Sequence, residues 1–376
     1  MNAEEQKEIL KSAEEFVKTE VEPLAKAIDE RGGVPRELID KMAERGYLGA
    51  VLPENYGGMG MDALHYGYLT EAFGKSCSST RALLTVHTSL CGETIVRRGT
   101  DLQKEKYLYE MARGKKIMCF ALSEPEAGSD ANGVKTTYEK QGENYIINGK
   151  KKWISFAGIA DLFLVIAANN EKKSAFIVER NFPGLTTTPI TGLLGSKGAY
   201  ISEIEFDNVV VPAENLLGRE GSGFSFIANT ALFYGRYSIA WGSLGIAQAA
   251  MECMIRYSKT REQFGVKIGR NQLVQEMIAD SYTEVNVARC FCEKIGQLRV
   301  QNDENVIMET NMAKYYTSRV AKKVADAAVQ ILGGNGCWSE YPAERLFREA
   351  KIMEIIEGTS QMQQLMIAKY GLERIK

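Results

Sequence analysis

The amino-acid sequence predicts an α+β multidomain fold, with an N-terminal helical domain, a middle β-barrel or sandwich domain and a C-terminal four-helix bundle. Helical periodicity occupies both ends of the chain, whereas residues 119–220 carry short runs rich in β-branched and aromatic residues. These runs follow one another so closely that no crossover helix fits between them, so the sheet should be mostly antiparallel. We therefore expect three domains, at residues 1–118, 119–223 and 224–376.

The first domain is predicted to be helical because its apolar residues recur at helical spacing. Ile9, Ala13, Phe16 and Val17 follow the three-to-four spacing of an amphipathic helix. The glycine-rich run YGGMG (56–60) predicts a loop, after which a helical pattern resumes.

The middle domain is predicted to be a sheet because its apolar runs are short and several alternate in polarity. Gly, Asn, Asp or Pro bounds each run, as is typical of strands. The Asn-Gly pair in NGK (148–150) predicts a hairpin turn. The predicted strands lie in YIINGKKKWIS (145–155), DLFLVIAA (161–168), SAFIVE (174–179) and ISEIEFDNVVVP (201–212).

The third domain is predicted to be a helical bundle because long helical patterns return and Pro342 is the single proline after residue 224. We expect breaks between helices at FGVKIGRN (264–271), QNDEN (301–305) and GGNGCWSEYP (333–342).

Composition excludes several functional classes. The net charge of the 376 residues is −2, which argues against a nucleic-acid partner and against an anionic membrane surface. No apolar run approaches the roughly 20 residues that a membrane helix needs. The acidic start MNAEEQKEIL lacks the apolar core of a signal peptide. We expect a cytoplasmic protein with neither nucleic-acid nor membrane partners.

Cysteine and histidine usage also limits the chemistry. The seven cysteines form no C-x-x-C pair and are odd in number, as expected for reduced thiols in the cytosol. The two histidines, His65 and His87, lie in no evident motif. We therefore expect no metal site, and a Ser-His-Asp hydrolase is disfavoured.

The glycine clusters give no nucleotide-binding signature. GREGSG (218–223) and GGNG (333–336) lack the G-x-G-x-x-G spacing, and no P-loop sequence is present. Both clusters are therefore interpreted as turns.

The run EIIEGTSQMQ (354–363) raises a specific question, because Glu357 stands among apolar residues and is followed by Gly358. A buried carboxylate is costly unless it is paired or protonated, and a glycine beside it permits close approach of a ligand. Glu357 is either a surface acid at a turn or a functional group.

Two further stretches each allow two interpretations. In ALSEPEAGSD (121–130), small and hydroxyl residues could donate hydrogen bonds to a polar cofactor, or the stretch could be a plain loop capped by Asp130. In KKWIS (151–155), Trp153 could be a core residue or an aromatic wall beside Ser155. Spacing alone favours the plain interpretations.

The order of several motifs changes this assessment, because together they resemble the acyl-CoA dehydrogenase family over nearly the whole chain. The matching stretches are PENYGGMGMD (53–62), ALSEPEAGSD (121–130), KKWIS (151–155), TREQFGVKI (260–268), QILGGNG (330–336), EYPAERLFREAK (340–351) and IIEGTSQ (355–361).

The resemblance implies an FAD cofactor held between the middle domain and the C-terminal bundle. The stretch from Phe120 to Ser129 would contact the flavin, with the Ser155 hydroxyl near flavin N5. Contacts with the cofactor are implied for Phe120, Leu122, Ser123, Gly128, Ser129, Trp153, Ile154, Ser155, Thr359 and Gln361.

The resemblance also implies a homo-oligomer, a tetramer or a dimer, and an electron acceptor such as an electron-transfer flavoprotein. A further set of cofactor contacts follows from it, of which Arg261, Gln272 and the run 330–334 would reach the FAD of a neighbouring subunit. This set is Arg261, Gln263, Phe264, Gln272, Gln330, Ile331, Gly333 and Gly334.

The family resemblance makes Glu357 the catalytic base. It would take the α proton of an acyl thioester while hydride leaves the β carbon for flavin N5, giving a trans-2-enoyl thioester. Substrate contacts are implied for Ser129, Arg236, Glu357 and Gly358. Some relatives place the base just before the arginine that matches Arg236, but this sequence has Gly235 there.

Two departures from the family pattern concern the thioester carrier. The family commonly has an Asp where this chain has Phe233, and the Ser and Thr of its G-x-R-x-S-x-T run are replaced by Ala199 and Ile201. These groups help to hold coenzyme A. The alternative substrate is therefore an acyl group tethered to an acyl or peptidyl carrier protein.

Weaker alternatives are an oxidase-type flavoenzyme on the same scaffold and a non-catalytic protein of this fold. Oxygen reactivity of the reduced protein would identify the first, and absence of bound flavin would favour the second. The sequence does not specify the length or branching of the acyl chain.

Overall fold

The computed structural model describes residues 3–374, which form helices at both ends of the chain and a sheet in the middle. The first helices are α1 (Ala3–Phe16), α2 (Ala25–Arg31), α3 (Arg36–Glu44), α4 (Ala63–Ser76), α5 (Ser78–Leu83), α6 (Glu93–Arg98) and α7 (Asp101–Ala112). The last helices are α8 (Asn229–Thr260), α9 (Gln272–Val300), α10 (Val306–Leu332), α11 (Pro342–Met353) and α12 (Ser360–Arg374). None of the helices within residues 3–374 is both long enough and apolar enough to cross a bilayer.

The N-terminal helices confirm the prediction from periodicity. The predicted first helix is α1 followed by the π-helical segment Val17–Val21, and Pro23 then interrupts the regular helix. A second π-helical segment, Leu84–Gly92, joins α5 to α6 and is buried throughout. A π turn widens a helix, and such segments often occur at functional sites.

The middle region forms one sheet of eight strands. These are β1 (Met118–Ala121), β2 (Thr137–Gln141), β3 (Asn144–Ile154), β4 (Leu162–Asn169), β5 (Lys172–Glu179), β6 (Leu185–Pro189), β7 (Ser202–Pro212) and β8 (Leu216–Leu217). Their order in the sheet is β6-β7-β3-β2-β4-β5-β8, with β1 paired to β4. Most pairings are antiparallel, as predicted, whereas β4 pairs in parallel with β1 and with β2.

The predicted hairpin turn at 148–150 is wrong, because this segment lies inside the continuous strand β3. Gly149 has a φ of 141° and lies at a shift in the register between β3 and β7. A glycine in a strand can mark such an irregularity as well as a turn. The chain instead turns between Gln141 and Asn144, where Gly142 has a φ of 59°.

The C-terminal region contains three long helices, α8, α9 and α10, which pack against one another. Helices α11 and α12 both pack on α10, and α4 of the N-terminal region packs on α8 and α9. The predicted breaks between helices all occur. At the first of them, the short antiparallel strands β9 (Glu262–Gln263) and β10 (Val266–Lys267) separate α8 from α9. The division into domains at 118/119 and 223/224 stays a prediction.

A buried ion pair joins the loop after β1 to strand β3. The Lys151 ammonium lies 2.7 Å from the Glu124 carboxylate, and both side chains are almost completely buried. Lys151 also donates to the carbonyls of Leu122 and Ile166, while Glu124 accepts from two backbone N–H groups. Because all these partners are satisfied, the pair fixes the loop that follows β1.

Lys151→Met should lower the free energy of unfolding by about 3–5 kcal/mol, because it leaves the buried Glu124 without its counter-charge. The matched control is Lys150→Met, which removes an exposed ion pair with Glu205 and should cost about 1 kcal/mol or less. Urea unfolding of both variants measures the difference. Equal losses in the two variants would show that the buried pair adds nothing to stability.

Candidate active site

Glu357 lies in a tight turn between two helices. Helix α11 ends at Met353 and α12 begins at Ser360, and the N–H of Ser360 donates to the Glu354 carbonyl over 2.9 Å. Glu357 and Gly358 both have left-handed backbone angles, with φ of 56° and 89°. Glycine adopts this region readily, whereas Glu357 does so at a cost that surrounding contacts must offset.

The Glu357 carboxylate points at helix α8, at the position of Gly235. Its Oε2 atom is buried and has no hydrogen-bond partner among the described residues. A Cβ atom on Gly235 would lie 2.6 Å from Oε2 and 2.7 Å from the Leu90 side chain, so the glycine is required for this approach. Burial raises the pKa of Glu357 from 4.5 to about 7.

Three buried or partly buried cations oppose that rise in pKa, the largest effect coming from Arg236, then Lys314, then Arg81. The Arg236 guanidinium donates from Nε to the Glu357 carbonyl over 3.0 Å and from Nη1 to Asn311 over 3.1 Å. Arg236, predicted to bind substrate, therefore contacts the backbone of the turn itself.

Arg81 is fully buried below the site, on α5. Its hydrogen-bond partners are neutral: Ser78, Thr85 and the Met353 sulfur. Its side chain fills the space left by Gly242 of α8. Burial lowers the pKa of Arg81 to about 10, so the guanidinium remains charged at neutral pH.

The loop after β1 lies beside the end of β3. The Lys152 N–H donates to the Ser123 carbonyl over 2.9 Å, and a Cβ on Gly128 would meet nothing within 4 Å. Trp153 is 54% exposed with a φ of 65°, so its interpretation as a core residue is wrong. Asp130 makes no side-chain capping bond.

The other residues predicted in this group differ in exposure. Leu122 and Ile154 are buried, Ser129 is exposed, and Phe120, Ser123 and Ser155 are intermediate. On the far side of the turn, the Thr359 hydroxyl accepts from the Met362 N–H at the start of α12, and Gln361 is exposed.

A cavity of about 330 Å³ brings together five of the remaining predicted cofactor residues. It lies between the C-terminal end of α8, the β9–β10 hairpin and the C-terminal end of α10. Its lining comprises Tyr257, Arg261, Gln263, Ile268, Ile331, Leu332, Gly333, Gly334 and Asn335. Phe264, Gln272 and Gln330 are exposed and lie outside this lining.

The two groups of residues fit the two ends of a flavin dinucleotide. An open glycine and an exposed tryptophan at the edge of the sheet suit a flat ring. In the cavity, the Arg261 side chain has no hydrogen bond or ion pair among residues 3–374, and a Cβ on Gly333 or Gly334 would meet nothing. An unpaired guanidinium beside open backbone suits phosphate oxygens.

The residues that depart from the family pattern differ in their burial and their neighbours. Ala199 is fully buried, and its carbonyl accepts from the Phe156 N–H. The Phe233 ring lies 5.0 Å from the Tyr234 ring at a tilt of 53°, and the Arg299 guanidinium lies 5.9 Å from the centre of the Phe233 ring. Ile201 is half-buried on the approach to β7.

Sequence reasoning did not identify Lys314 or Gln363. The Lys314 ammonium donates to the Gly358 carbonyl over 2.7 Å, and Gln363 donates to the carbonyls of both Glu357 and Gly358. A lysine on the apolar face of α10 was the available signal, because a buried ammonium must have partners.

Family models of the acyl-CoA dehydrogenases match almost the whole chain. The N-terminal domain model matches residues 3–115, the middle domain model 119–209 and the C-terminal domain model 221–372. The short-chain-specific acyl-CoA dehydrogenase of Clostridium acetobutylicum is 38% identical over 97% of both chains. The caffeyl-CoA reductase–Etf complex subunit CarC of Acetobacterium woodii is 37% identical over 99% of both chains.

Solved structures give the same result for the fold. The butyryl-CoA dehydrogenase of Megasphaera elsdenii superposes with a TM-score of 0.94 at 36% identity, covering 98% of each chain. The prolyl acyl carrier protein oxidase AnaB superposes with a TM-score of 0.92 at 30% identity, covering 98% of this chain and 99% of its own.

The raised pKa of Glu357 makes stability depend on pH. Between pH 4.5 and about 7 the folded state keeps a proton that the unfolded state has released, so the free energy of unfolding falls as pH rises through this window. Glu357→Gln should therefore match the wild type near pH 5 and exceed it at pH 8, by at most about 3 kcal/mol.

Urea unfolding at both pH values and a fixed FAD concentration measures this effect. The control is Glu276→Gln, an exposed glutamate on α9, whose difference from the wild type should be the same at both pH values. A Glu357→Gln protein with no pH-dependent gain would show that the carboxylate ionises as easily in the folded state as in the unfolded state.

Proposed function

Because the chain belongs to the acyl-CoA dehydrogenase family of FAD-dependent oxidoreductases acting on CH–CH bonds, we propose that Glu357 is the base with which it converts an acyl-CoA to a trans-2-enoyl-CoA. The base takes a proton from the α carbon while a hydride leaves the β carbon. The two electrons left by the α proton form the new double bond. When bound, FAD accepts the hydride.

The single observation that supports this role is the unpartnered, buried Oε2 atom of Glu357. A carboxylate with a pKa of about 7 is a much stronger base than one in water and is still partly ionised at neutral pH. Arg236 and Lys314 keep the ionised form accessible, because without them burial would raise the pKa further. The group is therefore suited to taking a weakly acidic proton.

Cofactor binding would use both groups of residues described above. Phe120–Ser129 and Trp153–Ser155 would hold the flavin ring, and Thr359 and Gln361 would contact it from the other side of the turn. The cavity with Arg261 would take the phosphate end of FAD from a neighbouring subunit, which supports a homo-oligomer, either a dimer or a tetramer. Ser129, Arg236 and Gly358 complete the proposed substrate contacts.

The proposed electron partner is an electron-transfer flavoprotein, since the relative CarC belongs to a reductase–Etf complex. That relative is named a reductase, and the same residues serve the reverse reaction, in which protonated Glu357 returns its proton to the α carbon. The seven cysteines are free thiols, which supports the proposed cytoplasmic location.

Glu357→Gln should bind FAD but reduce it about 10²–10⁴-fold more slowly with an acyl thioester, because the amide cannot accept the α proton. The wild type should be yellow, with one FAD per chain, and its rate should rise with pH through about 7. Anaerobic stopped-flow bleaching of the flavin measures the rate.

The control is Glu105→Gln, which changes an exposed acid on α7 and should bleach at close to the wild-type rate. Wild-type bleaching by Glu357→Gln would assign the base to another residue. A folded wild-type protein that takes up no FAD would overturn the proposed function altogether.

A second candidate substrate is an acyl group on a carrier protein. The apolar side chains of Phe233, Ala199 and Ile201 stand where the family has polar groups that hold coenzyme A, and the structural relative AnaB is named an oxidase of a prolyl acyl carrier protein. A carrier protein brings the pantetheine arm without the nucleotide, and its own surface supplies affinity.

If the carrier is the natural partner, a carrier-bound acyl group should bleach the flavin more efficiently than the same acyl group on free coenzyme A. Each lost hydrogen bond costs roughly 0.5–1.5 kcal/mol, so three together allow a difference of about tenfold or more. The measurement is the ratio of the two second-order rate constants. Equal or better efficiency with acyl-CoA would make the three substitutions neutral.

A further inference from the structure

The turn that carries Glu357 is held in an unfavourable backbone conformation by side chains from three helices. Arg236 of α8 and Gln363 of α12 donate to the Glu357 carbonyl, over 3.0 and 3.2 Å. Lys314 of α10 and Gln363 donate to the Gly358 carbonyl, over 2.7 and 3.3 Å. A left-handed residue with a side chain persists only where its surroundings determine it in this way.

Lys314 makes the shortest of these four contacts, and it is fully buried. Within residues 3–374 its ammonium has no carboxylate within 4 Å. An ammonium away from water is costly unless hydrogen bonds and nearby opposite charges compensate it. The backbone carbonyl of the turn supplies the hydrogen bond, and Glu357 supplies the largest compensating charge effect.

The charged groups that act on Lys314 lie on α8, in the turn and at the end of α11. Burial lowers the pKa of Lys314 to about 7, and Arg236 of α8 lowers it as well. Glu357 in the turn and Glu354 at the end of α11 raise it. Lys314 in turn lowers the pKa of Glu357, as do Arg236 and Arg81. Lys314 and Glu357 therefore each favour the charged form of the other.

We propose that Lys314 is a positioning residue for the base: its ammonium fixes the left-handed turn through the Gly358 carbonyl and favours the ionised form of the Glu357 carboxylate. The electrostatic half of this inference rests on the proposed function, because it concerns Glu357 as a base. The mechanical half concerns the turn alone and holds whatever the reaction is.

Two variants separate the two roles. Lys314→Met removes both the hydrogen bond and the charge, whereas Lys314→Gln removes the charge but keeps an N–H donor. The control is Lys323→Met on the same helix, which removes a surface ammonium paired with Glu284. All variants are compared as FAD-loaded protein. If Lys314→Met folds poorly, Lys314→Gln still tests the proposal.

The first measurement is hydrogen exchange of the amides of residues 354–363 without substrate. Exchange should be about tenfold faster in Lys314→Met, intermediate in Lys314→Gln and unchanged in Lys323→Met. The second is the pH dependence of flavin bleaching. Loss of the nearby positive charge should shift the pH at which the bleaching rate rises to a value about one pH unit higher in both Lys314 variants. Lys323→Met should show no such shift.

Unchanged exchange in both Lys314 variants overturns the proposal. Faster exchange without a shift in the pH dependence of bleaching also overturns the proposed role toward the base, because Lys314 would then support only the local structure. If no acyl thioester bleaches the wild-type flavin, the proposed function fails, while the exchange measurement still decides whether Lys314 holds the turn.

Discussion

The site depends on one constraint, the burial of a carboxylate against the bare backbone of α8. The Glu357 carboxylate can reach this position only because Gly235 has no side chain and because the turn at 357–358 is left-handed. Burial without a hydrogen-bond partner raises the pKa of the carboxyl group, and cations around the turn limit the rise. The basicity of Glu357 therefore depends both on the geometry of its turn and on the packing of that turn against α8.

Helix α8 organises this arrangement through further glycines on its buried surface. Gly242 admits the side chain of Arg81, and Gly245 lies against the backbone of α4 near Glu71. On α4 itself, Gly74 admits the backbone of Gly242. Any side chain at these positions would meet neighbouring backbone or the guanidinium within 3 Å. Helix α4 of the N-terminal region consequently packs directly on the helix that faces Glu357.

Much of the fold could be predicted because helical and strand periodicities are local properties of the sequence. The turn at 148–150 could not, because a glycine in a strand signals a bulge and a hairpin equally well, and only pairing with β7 decides between them. Glu357 could be singled out from its apolar neighbours and its motif. Lys314 could not be connected to it, since the two residues are brought together by packing of α10 against the turn. Arg236 was predicted from the motif, but its contact with the Glu357 carbonyl required the structure.

The arrangement also places stability and reactivity in opposition. Ionised Glu357 is the form that can accept a proton, and it is the form that burial disfavours in the folded protein. More positive charge at the turn would stabilise the carboxylate but weaken it as a base, while less would leave it protonated at neutral pH. The structure is intermediate between these two cases. Arg236 and Lys314 donate to the backbone carbonyls of the turn and not to the carboxylate, so their positive charges lie nearby without forming an ion pair with it. The Oε2 atom thus has no hydrogen-bond partner within residues 3–374 and remains open to an incoming proton.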